Sequence, residues 1–177
     1  MDILDVFKDL PVNQTGIVKT SEIVFDPEVR KMCKADRCGN YGKNWACPPA
    51  GGSYEECREK VLAYDKGVVF NKVSNLKNSY DWQGMVRAIE EFRTLCLAVR
   101  DRANEALEDA WVLSGGGCNH CKKCTYPDEP CRFPDMLIEP TEGQGIVVNR
   151  LAEAAGVNYI SGKDTVTYVG MLLYHEK

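Results

Sequence analysis

Nine cysteines stand in a chain of 177 residues, and most of them are spaced as metal ligands. Cys118, Cys121, Cys124 and Cys131 form C-x2-C-x2-C-x6-C within CNHCKKCTYPDEPC. Three thiols within seven residues let one tight turn wrap a corner of a cubane, and the fourth returns after a short loop stiffened by Pro127 and Pro130. A C-x2-C-x2-C run is the local signature of a [4Fe–4S] cluster, which takes four thiolates. The short bacterial ferredoxin form sends its last cysteine to a different cluster; the longer x6 spacing lets Cys131 close the same one. Zinc is the rival, although structural zinc sites more commonly pair two separated cysteine hooks. Gly115-Gly116-Gly117 just before the run permits close backbone approach and an amide nest for an anion, or serves as a plain flexible turn. Lys122, Lys123 and Arg132 would raise the potential of a neighbouring cluster and offer a docking patch; as ordinary loop charges they would simply be solvated. His120 is read as a loop residue, because four cysteines already fill the site.

A second set, Cys33, Cys38 and Cys47, forms C-x4-C-x8-C. Gly39 and Gly42 free the backbone to curl, Pro48-Pro49 stiffen the exit, and Tyr41 and Trp45 either shield a cluster or fill a core. Three thiols leave the fourth ligand open. Cys57, ten positions on, is the candidate; as a plain thiol it would share a buried helix face with Val61 and Tyr64. If Cys57 is a ligand, two four-cysteine clusters result and the protein moves electrons. If it is not, an iron with an open position could polarise a substrate. The ninth cysteine, Cys96, sits in the apolar stripe of a helix and reads as core.

Composition narrows the class. The chain has 44% hydrophobic residues, a formal charge of −4 and a pI near 5.3, the profile of a folded domain without the basic footprint of a nucleic-acid binder. Its length suits a single domain over residues 1–177. Met1 to Leu10 carries three aspartates and no basic secretory leader, and no apolar run is long enough to span a bilayer. The expectation is a cytoplasmic protein with reduced thiols, in which metal binding outranks a disulfide framework. Each [4Fe–4S]²⁺ core held by four thiolates would add two negative charges to the formal −4. With only His120 and His175 available, a three-histidine metal site is impossible. No C-x3-C-x2-C, G-x4-G-K-[ST] or G-x-G-x-x-G motif occurs, so radical-SAM, P-loop and dinucleotide chemistry are not indicated. Asp36, Glu55 and Asp135 cannot be told from solvated charges.

Ordinary α/β structure must position these loops. Ile17 to Phe25 is strand-prone, and Asp26-Pro27-Glu28 opens a short helix that ends near Cys33. Residues 34–52 are loop. Ser53-Tyr54-Glu55-Glu56 is a capping box for a helix over about 54–64. Gly67 to Val73 reads as a strand, and Met85, Ile89, Phe92, Cys96, Val99, Ala103 and Leu107 trace one helical stripe. Trp111 to Leu113 is a short strand, so residues 67–114 suggest a parallel βαβ crossover. A helix over about 145–155 stops at Gly156, and Thr165 to Tyr174 is the strongest strand. The fold class expected is α+β: a small mixed sheet with a βαβ unit, packed helices and two cysteine-rich loops.

The segments CGNYGKNWACPPAGG and GGGCNHCKKCTYPDEPCRFPD together resemble an uncharacterised prokaryotic family of predicted metal-binding proteins, domain of unknown function 2284. The resemblance runs from about Val29 to Tyr174 and covers Cys33, Cys38, Cys47, Cys118, Cys121, Cys124 and Cys131. Where family members carry an acidic residue just after a Gly-Ile pair, this chain has Val147. The resemblance implies metal binding and leaves the chemistry open. The expected function is an iron–sulfur protein with one or two [4Fe–4S] clusters, exchanging one electron with a redox partner protein. The alternatives are a redox enzyme with an open iron at Cys33/Cys38/Cys47, and a zinc-stabilised binding module.

Overall fold

The computed structural model describes residues 2–176. Its centre is a four-stranded sheet built from β1 (Gln14–Lys19), β2 (Lys66–Asn75), β3 (Ala110–Leu113) and β4 (Thr165–Tyr174), in the order β1-β2-β4-β3. The helices are α1 (Pro27–Lys34), α2 (Tyr54–Leu62), α3 (Trp82–Ala106) and α4 (Val148–Ala155). The class is α+β. No helix is long and apolar enough to cross a membrane among the described residues.

The mixed sheet expected from the sequence is instead antiparallel at every pairing. β2, α3 and β3 do form a strand–helix–strand unit, and β2 and β3 run in the same direction. They are not neighbours, because the last strand of the chain inserts between them, pairing Val68 with Leu172 on one side and Val112 with Leu172 on the other. β4 takes the middle because it is long and apolar on both faces. Leu172 and Tyr174 face one layer of core with Phe70, Phe92, Leu95 and Val99; Val169, Met171 and Leu173 face another with Val61, Ile146 and Leu151. α3 therefore covers one face of the sheet, while α2 and α4 cover the other. Gly170 makes this packing possible. A Cβ there would stand 2.8 Å from both the Phe70 ring and the Leu113 carbonyl oxygen.

The helix starts follow the sequence. Asp26 caps α1 through the Glu28 amide, with Pro27 in the first turn. Ser53 and Glu56 form the capping box of α2, and Asp81 accepts from the Gly84 amide at the head of α3. Gly156 ends α4 at φ 68°.

Two backbone staples bring the cysteine loops to one end of the sheet. Beyond β3, the Ser114 amide donates to Glu139, and the Thr141 amide and hydroxyl both return to the Ser114 carbonyl at 2.8 and 3.0 Å. Residues 115–138 thus leave and rejoin the fold at a single point. Nearby, Phe25 bridges Ile146, and the Asp26 amide donates to Gly145. That pairing sets the start of α1 beside the turn at Glu142–Gln144.

Candidate metal centre

Cys33 lies in the last turns of α1, while Cys38 and Cys47 lie in the irregular segment that follows. Asn44, buried beneath this segment, shapes it: its Oδ1 accepts from the amides of Ala46 and Cys47 at 2.9 and 2.8 Å. Asp36 does the same earlier in the loop by accepting from the Tyr41 amide at 2.9 Å. Cys33, Cys38 and Cys47 line one cavity of about 640 Å³ together with Met32, Tyr41, Gly117 and Glu142. Among the described residues, no three histidine, cysteine, aspartate or glutamate side chains converge tightly on a single-ion site.

The electrostatics of this cavity are those of crowded, desolvated acids. Burial pushes the Cys47 thiol up to about 11, with the Asn44 side chain and the Cys118 amide pulling it back. Cys33 is also raised, first by burial and then by the nearby Glu142 and Cys38, while Arg30 opposes the shift. Glu142 is half-exposed as a residue, yet its Oε2 is shut off from solvent and has no hydrogen-bond partner. Burial pushes its carboxyl above the ordinary carboxylate value, against the opposite pull of its own amide and the Gly116 amide.

The second loop lies directly alongside. A Cβ on Gly117 would come within 2.7 Å of the Cys47 sulfur, so Cys118 begins its run in contact with the first set. Trp45 locks the two loops together. Its Nε1–H donates to the Glu129 carbonyl at 3.1 Å and to the Thr125 hydroxyl at 3.3 Å, and its ring meets Tyr126 edge-on at 4.9 Å. Trp45 and Tyr126 thus serve as an inter-loop clasp.

Cys118, Cys121, Cys124 and Cys131 are all half-buried in the irregular 115–138 excursion. The Arg93 guanidinium, reaching from α3, donates to the Cys118 sulfur at 3.3 Å and to the Met136 carbonyl at 2.7 Å. The Tyr126 amide donates to the Cys124 sulfur at 3.5 Å. Neither donor was foreseen; only the fold carries Arg93 to a loop 25 residues away. Lys122, Lys123 and Arg132 are exposed, and Arg132 also ties the loop by donating to the Lys123 carbonyl at 2.9 Å. His120 is exposed and lies edge-on to Phe133 at 4.8 Å.

Two cysteines stand apart. Cys57 is 2% exposed and does not line the cavity. Its thiol donates to the Gly51 carbonyl at 3.4 Å and accepts from Arg30 Nη1 at 3.3 Å. Cys96 is wholly buried against Phe92 and Val99, and burial holds its thiol near 12, a core residue as its helical position implied.

The structure is an α+β scaffold that presents seven thiols along two adjoining segments. The chain belongs to the family of predicted metal-binding proteins, domain of unknown function 2284, which it matches over residues 16–174. No curated protein and no solved structure matches the chain.

The donor set suits iron–sulfur chemistry. Soft thiolates are its usual ligands. The side-chain-free backbone at Gly117 leaves room for the Cys47 sulfur, and N–H groups already point at Cys118 and Cys124.

Proposed function

We propose that this protein is a two-centre iron–sulfur redox protein. Cys118, Cys121, Cys124 and Cys131 would hold one [4Fe–4S] cluster, and Cys33, Cys38 and Cys47 would supply the thiolates of a second. The observation that carries this reading is the contact between the loops, where Gly117 abuts Cys47 and the next residue begins the four-cysteine run. Two centres held so close pass electrons between them without a mobile carrier.

A bound [4Fe–4S] cluster supplies one-electron chemistry. The chain's own residues set how readily it does so. Arg93 and the Tyr126 amide donate to sulfurs of the second loop, which stabilises the more negative reduced state and raises the potential. The half-buried sulfurs beside exposed Lys122, Lys123 and Arg132 suit exchange with an acidic redox partner.

A second reading, a redox enzyme, is favoured by the cavity. Its volume of about 640 Å³ falls among small-molecule sites, and exposed Cys38 and Met32 on its wall leave it open to solvent.

Anaerobic purification followed by iron and labile-sulfide quantification tests the proposal. Equal iron and sulfide, four of each per centre, are expected, with dithionite-reduced EPR showing two interacting spins. A colourless protein holding zinc and no labile sulfide would overturn it. Turnover-dependent changes in the first centre's signal on adding a substrate would select the enzyme over the carrier.

A further inference from the structure

The three thiols of the first centre leave one donor to be found, and Cys57 is already satisfied as a neutral thiol. It donates its proton to the Gly51 carbonyl and accepts from Arg30, so both its capacities are used within its own pocket. Converting it to a thiolate would set a negative sulfur 3.4 Å from a carbonyl oxygen. It also does not line the cavity.

Glu142 has the opposite character. Its side chain lines the same cavity as Cys33, Cys38 and Cys47. Its Oε2 is fully shielded from solvent and lacks any hydrogen-bond partner, a costly state for a carboxyl oxygen in a folded protein. The staple from Ser114 to Thr141 and the turn at Glu142–Gln144 fix its backbone there. No lysine or arginine salt bridge reaches it among the described residues. An unpartnered acceptor on a wall shared with three thiols is accounted for by a metal centre seated in that cavity.

We propose that Glu142 completes the donor set of the first metal centre with Cys33, Cys38 and Cys47, and that Cys57 is a structural thiol outside it. On binding metal Cys33, Cys38 and Cys47 bind as thiolates, their protons passing to solvent, and Glu142 binds as the carboxylate through Oε2. The assignment rests on the two-centre reading for the kind of metal, and on the cavity alone for the ligands. A carboxylate is a harder and more exchangeable ligand than a thiolate, so the first centre would differ in potential and lability from the second.

The test compares wild-type protein with Glu142→Gln, Glu142→Cys and Cys57→Ser, all purified anaerobically. Iron and sulfide per chain and the EPR spectrum of the reduced protein are read. Glu142→Gln should lower iron per chain, by up to half when the whole first centre is lost, and leave the second centre's signal unchanged. Glu142→Cys should restore the content and shift the first centre's signal. Cys57→Ser should keep the wild-type metal content. Metal loss in Cys57→Ser with none in Glu142→Gln would overturn the assignment, as would spectra of Glu142→Gln identical to wild type. Thermal melts of the metal-free proteins separate misfolding from ligand loss, and Glu142→Cys keeps the question decidable if Glu142→Gln folds poorly. Should the wild type contain zinc instead, the iron–sulfur reading fails while zinc per chain in the same variants still decides the ligand.

Discussion

Gly117 abuts the Cys47 thiol so closely that a Cβ on it would stand 2.7 Å from Sγ. The glycine-rich turn after β3 is therefore where the two cysteine loops touch, and its lack of a side chain is needed there. Gly117→Ala forces Cys47 to rotate or the loops to part. Overpacking of this kind costs about 1–3 kcal/mol when the surroundings cannot yield. The expected result is iron per chain reduced by about half, with Cys47 displaced and the four-cysteine centre retained. Metal analysis beside a thermal melt of the apo-protein checks it; undiminished iron with an unchanged spectrum would refute the contact's role.

Trp45 joins the loops from the other side through its Nε1–H and its ring. Trp45→Phe keeps an aromatic against Tyr126 and removes the bonds to Glu129 and Thr125. A loss of about 0.5–1.5 kcal/mol is expected, and Trp45→Ala loses more, because the aromatic pair's about 0.5–1.5 kcal/mol goes together with the ring's buried area. Hydrogen exchange localises the effect. Amides over residues 125–131 should exchange faster in Trp45→Phe while those of β2 and β4 keep their rates.

Much of this arrangement was legible in the sequence because its signals are local. The capping box at Ser53, the stripe through Phe92, Cys96 and Val99, and the run from Thr165 to Tyr174 all appear where composition placed them. What was hidden depends on partners far away in the chain. The strand read at Ile17 to Phe25 begins earlier, at Gln14, and stops at Lys19, because the Thr20 hydroxyl turns to the Tyr64 carbonyl and residues 20–22 form a 3₁₀ turn. The helix read from 145 starts instead at Val148, since residues 145–147 pair with 24–26. Cysteine spacing identified both loops. Glu142, by contrast, is one of 26 acidic residues with nothing local to mark it, and only the closure of Ser114 on Thr141 carries it beside the thiols.

Acid stability reports on the scaffold separately from the metal. Both Asp81 oxygens are engaged at the head of α3, by the amides of Lys77 at 3.0 Å and Gly84 at 2.9 Å. Those bonds hold its carboxyl below the ordinary value of 3.8. The native state therefore binds fewer protons than the unfolded chain in this range. Asp81 contributes stability above pH 3.8, and that contribution is lost as pH falls through its lower native value. Asp81→Asn still caps the helix but cannot supply two charged acceptors. Urea titrations should show lower stability near neutral pH and a shallower loss toward acid; an acid limb as steep as wild type would contradict the assignment.

Arg30 braces the turn that carries Glu142. From α1, one turn before Cys33, it donates to Gly143 at 3.0 Å, Gly52 at 2.7 Å and the Cys57 sulfur at 3.3 Å. It thus fixes the carbonyl next to Glu142 against the turn before α2. Lysine matches the charge but lacks the planar fork that reaches three acceptors. Arg30→Lys should cost about 1.5–3 kcal/mol, the range for one lost charge-assisted bond. It should also weaken the first centre, because the Glu142 turn loses its brace while no residue of the four-cysteine loop is touched. The distinguishing measurement is the order of metal release under chelator. In Arg30→Lys the first centre should empty sooner than in wild type, with the second centre releasing at its wild-type rate; equal acceleration of both would assign Arg30 to global stability alone.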